Sequence, residues 1–142
     1  MSTRRSRSSG SSRSSVMWVL AIAVIIAAAI WWALPSRTGQ VVEVVLPDLS
    51  RPAQAGQKAF GENCAACHGA LAGGTDQGPP LIHRIYHPSH HADAAFVLAA
   101  KRGVTQHHWN FGSMPPQPQI GVRSIQQIIE FVRELQQAND IY

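Results

Sequence analysis

Apolar residues follow different rhythms in different parts of the chain. From Val16 to Leu34 they run without a single charge. At a helical rise of about 1.5 Å per residue this run spans about 28 Å, close to the hydrocarbon thickness of a bilayer. Trp18 lies near one end and Trp31 and Trp32 at the other, where amphipathic rings meet the headgroups. A transmembrane helix over 16–34 is predicted. Further on, helical patterning recurs in three places. One covers Pro52 to Asn63, with Pro52 suited to an opening turn. A second covers His91 to Arg102, with Asp93 in its first turn, Phe96, Leu98, Ala99 and Ala100 inside, and Gly103 as its stop. The third places Ile125, Ile128, Ile129, Val132 and Leu135 on one face. It is opened by a capping box at Ser124-Ile125-Gln126-Gln127 and ends near Gln137. No strand pairing or internal repeat is visible, and the Gly-, Pro- and His-rich segments between helices read as loops. The fold class is all-α.

Charge divides the chain in the same way. Residues 1–15 are mostly Ser and Arg with no acidic residue, too poor in apolar groups to fold, and are predicted to be a disordered basic tail. Arg4, Arg5, Arg7 and Arg13 stand before the apolar run and Arg37 just after it. By the positive-inside rule the tail is cytoplasmic and the chain from Pro35 onward periplasmic. A cleavable signal sequence is the competing reading, but its apolar region is shorter, about 7–15 residues, and ends in small residues rather than Trp31-Trp32. Residues 35–50 read as a linker whose β-prone Val41–Leu46 stretch is either extended or packed on the globular domain. Fully extended it reaches about 50 Å. That domain occupies residues 51–142. The formal net charge of +4 is carried by the four N-terminal arginines, and charges from Pro35 on balance. Nothing therefore calls for a nucleic-acid partner.

The chain has only two cysteines, and they stand in Cys64-Ala65-Ala66-Cys67-His68. That spacing attaches a c-type haem: one helical turn offers both thiols to the two vinyl groups, and the following His reaches the iron. A zinc site would need a second ligand pair at suitable spacing, whereas His107 and His108 are adjacent. A dithiol redox motif would bring a βαβ pattern that is absent. One covalent haem implies assembly outside the cytoplasm, in keeping with the orientation above. It would also supply apolar surface to a domain small for a core of its own.

With these residues in view, the chain over roughly 51–138 resembles the class I c-type cytochromes. The match is carried by Gly56 and Phe60 ahead of Cys64, the haem motif through Gly69, the loop Gly78-Pro79-Pro80-Leu81 and the loop Gly112-Ser113-Met114-Pro115. The resemblance implies a small fold of three to four helices around one haem. It also implies a close crossing of the first and last helices at Gly56, with Phe131 packed there, and Pro79 on the proximal haem face. Met114 would be the second axial ligand beside His68, with His107 or His108 as the rival. Met114 is the one methionine beyond the apolar run, the others being Met1 and Met17. A His/Met iron is closed to small ligands and has a raised potential, which implies an electron carrier rather than an enzyme. Its partners would be a redox donor and acceptor at the periplasmic membrane surface. Two alternatives stay open: an electron-accepting subunit of a dehydrogenase, and a copper-handling redox protein.

The last alternative comes from the histidines. Of seven in the chain, six lie outside the haem motif: His83, His87, His90 and His91 before the middle helix, His107 and His108 after it. They read either as solvated or backbone-bonded rings, or as a second metal site, most plausibly for copper, built from pairs such as His90 and His91 with Asp93 or His107. A helix between the two groups would separate its own ends by about 16 Å, so the sequence does not bring them together.

Overall fold

The computed structural model describes residues 11–33 and 40–142, in two compact units that divide after Arg37. In the first, α1 runs from Ser11 to Ala33. It begins earlier than Val16, so residues 11–15, expected to be disordered, are helical; the rest of the predicted tail, 1–10, and residues 34–39 of the anchor and linker lie outside the described residues. From Ser15 to Trp32 the helix is long and apolar enough to cross a membrane, and none of this stretch is buried by protein.

The second unit is a helical domain in which α2 (Arg51–Asn63), α3 (Ala65–His68), a 3-10 turn (Arg84–Tyr86), α4 (Asp93–Arg102) and α5 (Val122–Ala138) follow in order. No strand is present among the described residues; one isolated antiparallel bridge joins Val104 and Met114. Ser50 caps α2, its hydroxyl accepting from the Ala53 N–H at 3.3 Å, with Pro52 in the first turn. Ala53, Gly56 and Phe60 form the buried stripe of α2 and pack on the amphipathic face of α5, where every predicted position is buried and Phe131 and Gln136 join them. The two helices touch at Gly56, where a Cβ would stand 1.8 Å from the Gln127 carbonyl oxygen. One turn further along α2, the Phe60 and Phe131 rings meet at 5.4 Å and 59°, a tilted aromatic pair in the fully buried centre.

The predicted capping box does not form. The N-cap of α5 is Gly121, with extended φ and ψ of −66° and 151°, so Ser124 lies inside the first turn. Ile120, 4% exposed, is buried immediately before Gly121, and its burial sets where the chain can turn into the helix. α4 begins at Asp93 rather than His91 and ends as predicted at Gly103, whose φ is +73°. A Cβ there would lie 2.4 Å from the Met114 carbonyl oxygen, so this glycine serves both the turn and the strand-like return beside it.

Residues 40–50 are docked on the domain rather than free. The Val42 N–H donates to Gly73 O at 2.8 Å. Asn139 clasps Val45 from both sides, with Val45 N–H to Oδ1 and Nδ2–H to Val45 O, each 2.9 Å. Ser50 N–H reaches Glu134 Oε2 at 2.9 Å, while Val42, Val44 and Leu49 pack against the core.

A second clasp holds the loop before α4. Arg133 of α5 donates to Asp93 Oδ1 (2.9 Å), Tyr86 O (2.9 Å), His91 O (2.5 Å) and Gln136 Oε1 (2.6 Å). Its guanidinium carbon also sits 4.8 Å from the Phe96 ring centroid. Gln136, fully buried, spends its amide donors on Leu81 O and Tyr86 O at 2.9 and 3.2 Å. A planar fork suits four acceptors spread over this arc; a lysine would not satisfy them.

Candidate functional site

α4 contributes no fully buried residue, although its Ala95, Phe96, Ala99 and Ala100 are apolar. These side chains face a cavity of about 390 Å³, a size proper to a small-molecule site. Phe60, Ile125, Ile128 and Ile129 close its inner wall. Cys64, His68, Pro79 and Met114 all line it, while Cys67 is exposed at the far end of the α3 turn and is not among the lining residues.

The junction of α2 and α3 explains the placement of the motif. Cys64 leaves helical geometry at φ −124° and ψ −31°, its N–H still bonded to Phe60 O at 2.8 Å. The single turn Ala65–His68 then carries Cys67 and His68, with Cys64 as its N-cap, so both thiols and the imidazole fall within five consecutive residues. Burial, and secondarily the neighbouring Cys67, pushes the Cys64 thiol up to about 11. That shift runs opposite to the one a dithiol redox centre uses, which lowers a thiol pKa toward neutral. Among the described residues no cluster of metal-ligating side chains includes either cysteine, so the zinc reading also finds no second half.

The His68 Nδ1 is 2.9 Å from Pro79 O. Since a carbonyl can only accept, Nδ1 carries the hydrogen and Nε2 keeps its lone pair, the tautomer a metal-bound imidazole requires. Desolvation holds the His68 pKa below its ordinary value, partly offset by this bond, and so keeps the ring neutral. Sequence reasoning singled out Pro79 for its ring; its carbonyl, which orients His68, had no signal in the residue pattern.

Met114 is brought to the cavity by backbone pairing. Val104 N–H donates to Met114 O at 3.0 Å and Met114 N–H to Val104 O at 2.9 Å. The intervening loop is tied internally by Gly112 N–H to Gln106 Oε1 at 2.6 Å. Tyr86 and Trp109 are among the polar residues of a largely apolar lining, the Trp109 indole N–H donating to the Tyr86 hydroxyl at 3.1 Å. Burial, opposed by that bond, raises the Tyr86 pKa.

The residues fit a covalent haem. Cys64, a neutral imidazole and a thioether, itself a soft iron ligand, line one largely apolar cavity, and the second thiol, Cys67, lies exposed one turn from Cys64. When bound, such a haem would supply a one-electron couple; Cys64 and Cys67 would hold it, and His68 Nε2 and the Met114 sulfur are the groups of this lining that could meet its iron.

The profile of the Cytochrome c family matches residues 53–136, more than half of the chain. The protein belongs to the cytochrome c family. Its haem motif, the Gly56 crossing and the Met114 loop all fall within the matched range, and the family carries covalent haem c. The cytochrome is also 29% identical over 109 residues to the Cbb3-type cytochrome c oxidase subunit CcoP of Rhodobacter capsulatus; the match covers 71% of this chain and 37% of that subunit. The chain thus spans little more than a third of the curated relative it matches. No solved structure matches it.

The histidines separate into two groups. His83 and His87 are engaged elsewhere: His83 accepts from Ile85 N–H at 3.3 Å, and His87 accepts from Ser89 N–H at 3.1 Å while its Nε2 bonds Tyr142 O. His90, His91, His107 and His108 come together instead, with neighbouring ring centroids 4.3–6.2 Å apart. The sequence left open whether the two sides meet across the middle helix; they do, because the chain doubles back at Gly103. The ten residues of α4 rise about 15 Å, and about five residues of extended chain cover the same distance in return. His108 is exposed; desolvation against its neighbours, then repulsion from His107, His91 and His90, lowers its pKa.

Proposed function

We propose that this cytochrome is a membrane-anchored carrier of single electrons, with one covalent haem c ligated by His68 and Met114. The observation that carries the reading is the common cavity: a tautomerically fixed imidazole and a backbone-clamped thioether line the same apolar space as Cys64. Two protein ligands leave no open coordination position, which favours electron transfer over catalysis, and an apolar surround with a thioether ligand raises the reduction potential. The Arg-rich residues before α1 favour an N-terminus in the cytoplasm and a haem domain at the periplasmic face. Similarity to an oxidase subunit supports a place in a redox complex, with a quinol-oxidising donor upstream and a terminal oxidase downstream. It favours this over the dehydrogenase-subunit alternative.

The test is an optical spectrum of the oxidised and reduced holoprotein with a potentiometric titration, repeated on Met114→Ala. The wild type is expected to show the ferric charge-transfer band of methionine ligation and to bind no carbon monoxide when ferrous. Met114→Ala is expected to lose the band, lower the midpoint potential and bind carbon monoxide rapidly. An unchanged spectrum in Met114→Ala, with the change found instead in His107→Ala or His108→Ala, would transfer the sixth ligand to a histidine.

A further inference from the structure

Neither the cytochrome c family nor the oxidase-subunit relative accounts for the four imidazoles gathered at the rim of the cavity. The ligand nitrogens of His90, His91 and His108 lie within 4.8 Å of one another, and His107 adjoins His108 with ring centroids 4.3 Å apart. Two nitrogens on one tetrahedral ion with metal–nitrogen bonds of about 2.0–2.1 Å stand about 3.3–3.4 Å apart. Small side-chain rotations at exposed His90 and His108 would close the difference.

The fold holds the cluster in a prepared state. His91 Nδ1 donates to Ile85 O at 2.7 Å and His107 Nδ1 to Thr105 O at 2.8 Å. Each bond fixes the tautomer that leaves Nε2 unprotonated, the outer-shell arrangement typical of metal-bound histidine. The His91 backbone is pinned as well, its N–H to His87 O at 2.8 Å and its carbonyl under the Arg133 fork. Among the described residues, the ring nitrogens of His90 and His108 enter no hydrogen bond; their rings contact other imidazoles. Solvated surface histidines have no reason to converge from two sides of a helix, since any protonation makes them repel.

We propose that His90, His91 and His108 form a second metal site, a three-imidazole set for a borderline divalent cation such as Cu²⁺ or Zn²⁺, with the fourth position left to His107 or water. Imidazole donors select such ions over Mg²⁺ or Ca²⁺, which take oxygen. His91 and His108 also line the cavity that holds Met114, so a cation there lies beside the haem site and its positive charge would raise the haem potential.

Isothermal titration of the full-length ferric holoprotein, purified in detergent without a polyhistidine tag, with zinc sulfate and separately copper sulfate tests the site. One equivalent of each is expected to bind, at least tenfold more weakly in His90→Ala and in His108→Ala. Both rings are exposed, so their removal leaves the core intact, and the haem spectrum of each variant reports separately whether haem ligation holds. Lack of stoichiometric binding by the wild type, or wild-type affinity in either variant, overturns the proposal. A potentiometric titration with and without one equivalent of zinc is expected to show a positive shift that is lost in His108→Ala; an unshifted midpoint would overturn the placement beside the haem.

Discussion

His68 is held in the tautomer that leaves Nε2 free by a bond to Pro79 O, eleven positions away, that the Cys-x-x-Cys-His spacing does not contain. The spacing puts the ring beside the two thiols, and the carbonyl then decides which nitrogen is free. His83 is controlled in the opposite sense. Its Nδ1 accepts from Ile85 N–H, which only a neutral ring can do, and burial followed by Arg84 lowers its pKa. A folded pKa below the unfolded value of about 6.5 gives a contribution that is full above that pH and lost as pH falls through the lowered value. Thermal unfolding from pH 7 toward pH 5 is therefore expected to lower the midpoint of the wild type more than that of His83→Gln, with a small difference because solvent screens a ring this exposed. Equal slopes would show that His83 does not titrate with folding. At this scale the sequence offered the candidate ligands, while the groups that orient them were illegible, because a backbone carbonyl carries no residue identity.

The helices were largely legible, and their errors have a common origin. The positions predicted to face inward on α5 are all buried, since period 3.6 follows from the helix itself. The start of α5 was misplaced to Ser124 because a local capping pattern was outweighed by burial of Ile120 just upstream, a tertiary effect. The crossing of α2 and α5 is the most constrained contact of the domain. Gly56→Ala would drive a Cβ into the Gln127 carbonyl, and because both partners are backbone the helices must part. The expected loss is about 2–3 kcal/mol or more, read from the urea midpoint of the holoprotein. Gly61→Ala, where a Cβ meets nothing within 4 Å, is the control and should be neutral or slightly stabilising. Equal effects of the two substitutions would mean that α2 and α5 do not touch at Gly56.

For the whole molecule, the apolar run and the cytochrome domain are separate units, and they predict separable behaviour. Full-length protein is expected to stay in the membrane fraction on alkaline carbonate extraction. A chain beginning at Thr38 behind an export signal should be released and keep its haem spectrum. Because residues 40–50 are clasped by Gly73, Asn139 and Glu134, the length free to act as a tether is shorter than the sixteen-odd residues read from composition. Asn139→Ala is expected to raise amide exchange at Val45 severalfold without altering the haem spectrum; unchanged exchange would show that other contacts dock the strap.

What the sequence determined alone is local or periodic: a run long enough for a bilayer, three helices read from their apolar spacing, and a haem motif whose chemistry lies within a single turn. These depend on neighbours a few residues apart, and such neighbours are fixed by the chain's own geometry. The tertiary structure decided whatever required distant segments to meet. It bonded His68 to Pro79, set Met114 against Val104 in the same cavity, laid residues 40–50 on the domain, and brought His107 and His108 back to His90 and His91. The last of these turned on Gly103: a left-handed turn reverses the chain, and extended backbone gains about twice the length per residue that a helix does. A short return therefore cancels the separation that α4 creates.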